Sequence, residues 1–225
     1  MAFVISLVIE ASTYAGSVAL LKADSVSAER AVAMRGREHE ALMPAVADVL
    51  AQCSVATRQL NRIVCGAGPG SFTSLRIAGA IAKGLALSLG IPLVPVPSLA
   101  LLVASREPLE PGRYLGAIDA LRGEHYVCEF EVRAGGEMRA VGGTSLLPSA
   151  DLITHAGKLG AQLVAADAAS GGTAAVPRAR AAARLTKLID ATAPADLASW
   201  EPAYGRLAEA QVKWEAAHGR PLSRA

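Results

Sequence analysis

Arg62-Ile63-Val64-Cys65, then Gly66-Ala67-Gly68-Pro69-Gly70-Ser71-Phe72-Thr73, then an apolar stretch over residues 75–89, is the part of the chain that decides its fold. Ile63, Val64 and Cys65 form a short unbroken apolar run, the pattern of a strand buried on both faces. Glycine and proline stop it, and beyond them the apolar residues recur at helical spacing. Strand, glycine-rich turn and helix in that order predict an α/β unit. The same arrangement aims backbone N–H groups and the positive end of the helix dipole at the turn, which favours a negative group there. Gly68, Gly70, Ser71 and Thr73 fit an anion or nucleotide loop of that kind. The loop lacks the Gly-Lys-Ser/Thr ending of a P-loop and the Gly-x-Gly-x-x-Gly of a dinucleotide site, so a phosphate cradle and a plain tight turn both remain open.

In the helix behind the loop, Ile77, Ile81, Leu85 and Leu89 make one stripe and Ala78, Ala82 and Ala86 the next. Over residues 75–89 only Arg76, Lys83 and Ser88 are polar. A helix apolar nearly all round is expected to be buried nearly all round. It is then either a central core helix, or a helix with one face on the sheet and the other on a partner.

Working outward, residues 3–9 predict a buried strand, residues 10–13 a polar turn and residues 16–21 the second arm of a hairpin. Residues 31–35 suggest a third strand. A helix is expected over residues 39–52, with Pro44 in its first turn. Residues 91–96 predict a strand, after which Ser98 is placed to cap a short helix over residues 99–104. The Pro/Gly break at residues 107–112 is the expected boundary between lobes 1–106 and 107–225. In the second lobe residues 114–117 and 125–132 read as paired strands, and a further strand follows Gly135-Gly136. Residues 148–158, 177–189 and 206–217 read as helices, the last packing back on the first lobe. Strands lead and helices follow in each half, so two α/β lobes are expected.

Bulk properties narrow the function. Apolar residues make up 52% and charged residues 19%, which fits a folded core and not a disordered chain. Aromatics are only 4% and net charge is +2, so the stacking platforms and basic stripe of a dedicated nucleic-acid binder are missing. Arg178, Arg180, Arg184 and Lys187 form the densest basic stretch, and their spacing predicts a solvated face of an Ala-rich helix, with an RNA or partner contact as the alternative. Cys53, Cys65 and Cys128 each sit in apolar runs and are expected to be buried, reduced thiols of a cytosolic protein. No signal peptide or membrane anchor is expected: Lys83, Gly84, Gly90, Pro92, Pro95 and Pro97 interrupt the most apolar region, and the expected location is cytoplasmic.

Gly68-Pro-Gly-Ser-Phe-Thr73, Leu75-Arg76-Ile77 and Ala82-Lys83-Gly84-Leu85-Ala86 closely resemble the signature of the TsaB (YeaZ) family. Ile9-Glu-Ala-Ser-Thr13 with Ser17-Val-Ala-Leu20, His39 before an amphipathic helix, Ala117-Ile-Asp-Ala120 with Arg122-Gly123-Glu124, and Pro202-Ala-Tyr204 agree in order. The resemblance implies an actin-like, sugar-kinase-like (ASKHA) fold of two α/β lobes. It also implies a role without chemistry of its own in putting threonylcarbamoyl on the adenosine next to the tRNA anticodon. The partners it implies are the transferase TsaD and the ATPase TsaE, with a homodimer in isolation, tRNA met only through the complex, and no membrane. The partner face it implies carries His39, Leu42, Met43, Val46, Arg76, Ala78, Ala82, Lys83 and Ala86, with no catalytic residue, metal ligand or cofactor.

The sequence departs from the family pattern in places. Glu10 stands where the family usually has Asp, and a longer carboxylate misplaces any metal at that turn. Ala78 adds a methyl where glycine is common. An active ASKHA enzyme, either a kinase or a TsaD-like transferase, is the competing reading. His39, His125, His155 and His218 show no second His within helical reach, so no paired-His metal site is visible. A protease reading would use Ser12, Ser71 or Ser98, none of which has an evident His/Asp pairing. A dimeric scaffold unrelated to tRNA is a third class.

Overall fold

The computed structural model describes residues 3–35, 40–205 and His218. His39 and the helix expected over residues 206–217 lie outside the described residues.

The first lobe is built on β1 (Ile5–Glu10), β2 (Ala15–Lys22), β3 (Ser25–Ala33), α1 (Leu42–Gln52), β4 (Arg62–Gly66), α2 (Phe72–Leu89), β5 (Leu93–Val96) and α3 (Ser98–Ala104). The second holds β6 (Gly112–Asp119), β7 (Glu124–Val132), β8 (Met138–Ala140), β9 (Ser145–Pro148), α4 (Leu152–Leu159), β10 (Gln162–Ala165) and β11 (Thr173–Ala174). A 3-10 run, Ala179–Leu185, and α5 (Thr186–Ala191) follow. The strand order in the first sheet is β3-β2-β1-β4-β5, and in the second β11-β10-β6-β7-β8, with β9 also on β7. Read from the opposite end, the second order repeats the first. Each lobe has an antiparallel pair joined by a tight turn and then parallel strands.

Alternation along β1 assigns the layers. Leu7 and Ile9 face a core with Leu42, Val46 and Val49 of α1 and Ala78, Ala82 and Ala86 of α2. Val8 faces the other way, into a core that runs through α3 and the 3-10 segment to Tyr114, Ile118, Tyr126 and Phe130 of the second sheet. All seven residues of α3 are buried, because it lies between the two sheets. Gly116 admits it: a Cβ there would stand 3.1 Å from Val103 Cγ2 and 3.3 Å from the Leu99 carbonyl. α4 covers the far face of the second sheet over Leu115, Val127 and Leu163.

Several expectations need correction. β3 begins at Ser25, well before residue 31, because a mostly exposed edge strand has no reason to read as apolar. β9, β10 and β11 were not expected. Residues 179–185 form a 3-10 run rather than a solvated α-helix, and the boundary does not separate them: they pack on β2, β3 and α3 of the first lobe. Their arginines are tied down. Arg178 makes a two-pronged contact to Glu29, 3.1 Å to Oε1 and 2.6 Å to Oε2, and Arg184 Nη1 donates to the carbonyls of Ala104 and Arg106. All three cysteines are free; Cys65 and Cys128 are buried, whereas Cys53 is half-buried.

Glu29 keeps 10% of its side chain exposed, and without Arg178 it would retain only the Arg180 amide at 3.3 Å and the Arg180 guanidinium at 3.9 Å. Arg178→Met should lower the unfolding free energy by roughly 1–3 kcal/mol, measured as a drop in urea midpoint at constant slope. Lys187→Met, which breaks only an exposed 3.8 Å pair with Glu137, should leave the midpoint nearly unchanged.

Candidate functional site

The carboxyl ends of β1, β4 and β5 meet at one carboxylate. Glu10 ends β1 and has no exposed surface. Its Oε1 accepts from the Ser12 amide at 2.6 Å, and its Oε2 accepts from the Ser98 hydroxyl at 2.9 Å. Ser98 Oγ in turn accepts from the Gly68 amide at 3.0 Å, and the Ser98 amide donates to the Gly68 carbonyl at 3.0 Å. The Ser71 amide donates to the Ser12 carbonyl at 2.7 Å. Glycine at 66 is obligatory, since a Cβ there would stand 1.8 Å from Glu10 Oε2. Burial pushes the Glu10 carboxyl above the usual carboxylate range, with hydrogen bonds from Ser12 and Ser98 pulling against it. Burial, and then Glu10 itself, push the Cys65 thiol up.

Ser98 therefore does not cap α3, whose preceding residue is Pro97 and which has no side-chain cap. Ser71 stands at the N-cap of α2 without a side-chain cap bond, its hydroxyl meeting Ser74 Oγ at 3.0 Å. The glycine loop is closed from above as well. The Ala203 amide donates to the Ala67 carbonyl at 2.7 Å, and a Cβ on Gly68 would lie 2.4 Å from the Ala203 carbonyl oxygen. The Gly68 and Ser71 amides of the loop are spent on the Ser98 hydroxyl and the Ser12 carbonyl, and a carbonyl oxygen sits over Gly68.

α2 is buried on one side and open on the other. Leu75, Ala78, Ala82 and Ala86 have no exposed surface, while Thr73, Arg76, Ala80, Gly84 and Leu87 face outward, Leu87 with 73% exposure. By length and apolarity alone α2 passes for a membrane span, with mean hydropathy 1.3, but a core helix passes the same test and its inner stripe is seated on β4. On α1, Met43 is 43% exposed, whereas Leu42 and Val46 are buried. Glu40 caps that helix, its carboxylate accepting from the amides of Leu42 and Met43.

The expected partner face thus needs correction. Leu42, Val46, Ala78, Ala82 and Ala86 belong to the chain's own core, because the alanine stripe packs on the sheet. Lys83 is engaged within the chain, its Nζ donating to the Trp200 carbonyl at 2.9 Å. Met43 and Arg76 remain outward, joined by Ala80, Gly84 and Leu87, which the sequence reading did not select. Their i, i+4 and i+3 spacing was legible; which of the stripes faced the sheet was not.

The second lobe has a polar cluster at the matching end of its strands that sequence reasoning missed. His125, 5% exposed at the start of β7, has Nδ1 3.0 Å from Ser149 Oγ and Nε2 2.9 Å from Asp167 Oδ2 and 3.1 Å from Ser170 Oγ. Burial pushes Asp167 up, but hydrogen bonds from His125 and Ser170 outweigh it and hold the carboxyl below its ordinary value. Ser170 gives both its amide and its hydroxyl to Asp167. The cluster pins β7 to the start of the α4 segment and to the loop after β10. The only hint in sequence was a histidine beginning an apolar strand. Among the described residues, no three of His, Cys, Asp and Glu gather as a metal site.

With this geometry in hand, comparison with known proteins is direct. The family model for TsaD, tRNA N6-adenosine threonylcarbamoyltransferase, matches residues 33–199. The chain belongs to the TsaD family, in its TsaB (YeaZ) group. It is 37% identical over 129 residues to the tRNA threonylcarbamoyladenosine biosynthesis protein TsaB of Bacillus subtilis, covering 57% of this chain and 56% of that protein. The Escherichia coli TsaB protein is 38% identical over 128 residues, 56% of this chain and 54% of that one. The chain spans about half the length of the curated relatives it matches. A solved Pseudomonas aeruginosa protein with similarity to peptidase YeaZ superposes with TM-score 0.77 at 26% identity, over 90% of this chain and all of that one. The two-lobed actin-like, sugar-kinase-like fold expected from the sequence is the observed one.

Two outcomes follow from the burial pattern. Glu10 has its folded pKa raised, so its share of stability is full below the ordinary carboxylate pKa and is lost as pH rises through the folded value. The urea midpoint of the wild type, compared with Glu10→Gln, should therefore improve as pH is lowered from 7 toward 4.5; a constant difference would refute the buried acid. Ala82→Arg should cost about 3 kcal/mol or more by burying an unpaired charge, seen as a fall in Tm and not as a selective loss of association.

Proposed function

We propose that the chain is a non-catalytic partner of a TsaD-type transferase in forming threonylcarbamoyladenosine on tRNA. The observation that carries this reading is the outward face of α2. An 18-residue helix is fixed to the sheet by its alanine stripe and offers Ala80, Gly84 and Leu87 to solvent, with Arg76 at one end. Small residues permit close backbone approach, and the exposed leucine is an apolar anchor. A face built on a rigid helix loses little entropy on association. Met43 on α1 is a further exposed apolar side chain of the same lobe.

The locked carboxylate supports the accessory role. A general base or metal ligand has to reach substrate, and Glu10 is enclosed by Ser12, Ser98 and Gly66. Gly68 and Ser71 of the loop are likewise bonded within the chain. In this reading the chain works in the cytosol, meets TsaE and tRNA through the transferase, and pairs with a second copy through the same face when the transferase is absent. It shifts the transferase toward a competent state only by its differential affinity for that state.

Reconstitution tests it, with the cognate transferase and ATPase, threonylcarbamoyl-adenylate and unmodified tRNA, with and without this chain. Multiple-turnover modification should require the chain. Gly84→Arg and Ala80→Arg, both at open positions, should weaken complex formation at least about tenfold and cut modification in step, with Tm retained. Equal turnover without the chain would sink the proposal.

A further inference from the structure

The stretch from Ala195 to Gly205 runs along the first lobe and ends on the second. The Ala195 amide donates to the Leu93 carbonyl at 2.8 Å at the edge of the first sheet. Leu197 and Trp200 pack on the core beneath α2. Lys83 of α2 holds the Trp200 carbonyl at 2.9 Å. Pro202 lies on Gly79 of α2, where a Cβ would stand 2.9 Å from its Cγ. Ala203 closes on the glycine loop through its 2.7 Å bond to Ala67. The Tyr204 ring packs on Phe72 at the start of α2, centroids 4.6 Å apart, and burial followed by the nearby Glu201 pushes its hydroxyl up. Gly205 then meets Tyr126 of β7: a Cβ at 205 would lie 2.4 Å from the ring, and the backbone there is left-handed, φ 79°.

We propose that residues 200–205 are a latch that ties α2 and the glycine loop to β7 of the second lobe. Three glycines, Gly68, Gly79 and Gly205, are each open toward this segment or its contact and would clash if given a side chain. Gly79 is the telling one. Glycine inside a helix costs about 1 kcal/mol relative to alanine, and the space it leaves is filled by Pro202. The latch makes the position of α2 a condition for how the chain seats on Tyr126. Because the outward face of the same helix is the one assigned above to the transferase, docking there is transmitted to the second lobe through the latch. That consequence rests on the proposed function; the latch itself does not.

The chain has four tyrosines. Tyr204 lies on the latch, Tyr126 at its far end, and Tyr14 and Tyr114 away from it. Fluorotyrosine labelling of the full chain therefore reads both ends with two internal references, each resonance assigned by a Tyr→Phe variant. Gly79→Ala favours the helix and crowds Pro202; Lys83→Met keeps the side-chain stem and removes the bond to Trp200. Either variant should shift the Tyr204 and Tyr126 resonances together, leave Tyr14 and Tyr114 in place, and speed hydrogen exchange of the Ala203 amide at least about tenfold. Should Tyr204 move while Tyr126 stays, or neither move in both variants, the latch is overturned. If Gly79→Ala fails to fold, Lys83→Met decides alone. Adding the transferase to wild-type chain should move the same two resonances. A latch seen in the isolated chain with no response to a bound transferase refutes the coupling; no binding at all refutes the proposed function and leaves the latch standing.

Discussion

A carboxylate without exposed surface sits where three strands of the first lobe end, and the arrangement of that end depends on it. Burying a carboxyl is costly unless its oxygens are hydrogen-bonded. Glu10 meets that demand by drawing the Ser12 amide and the Ser98 hydroxyl to itself. Ser98 then fixes Gly68, and Ser12 fixes Ser71. The β1–β2 turn, the glycine loop and the entry to α3 are thereby set by one side chain. At the end of the sheet where α/β proteins commonly hold ligands, the Glu10 carboxyl, the Ser98 hydroxyl and the Gly68 and Ser71 amides are thus engaged within the chain.

Repetition of the strand order makes the second lobe an internal comparison. The loop after β10 corresponds to the glycine loop after β4, and β7 to β2. At that position the second lobe gathers His125, Asp167, Ser149 and Ser170. Both lobes thus close the ends of their parallel strands with a buried polar knot, but with different chemistry. In the first the central group is an acid raised by burial; in the second it is an acid held low by its hydrogen bonds. α3, common to the cores of both sheets, lets the two halves share one apolar interior.

Much of this was legible in the sequence, for physical reasons that also mark the failures. Ile63-Val64-Cys65 and the glycine run placed β4, the loop and α2 because a buried strand, a turn and a periodic helix leave distinct patterns. β10 and β11 are four and two residues long and their neighbours are alanine-rich, so no periodicity marks them. Residues 178–187 read as a solvated helix because spacing alone does not reveal acceptors such as Glu29 and the Ala104 carbonyl, distant in sequence. Ser98 read as a cap for the same reason: its partners, Gly68 and Glu10, are far along the chain.

Stripe assignment on α2 is the most consequential of these failures. Ile77, Ile81 and Leu85 outrank the alanines in hydrophobicity, yet they are half-buried and the alanines are fully buried. Small residues bring the helix close to β4, and the larger ones splay along its flanks. Gly84 then has no explanation among the described residues. A Cβ there would touch nothing within 4 Å, unlike Gly79, whose space is occupied by Pro202. An exposed glycine inside a helix weakens it by about 1 kcal/mol relative to alanine, with no compensating turn or close approach. Its neighbours on that side are Ala80 and the exposed Leu87, so the small side chain leaves a shallow seat beside an apolar anchor. A seat of that shape admits another backbone at close range, which is why the outward face of α2, and not the glycine loop, carries the functional reading.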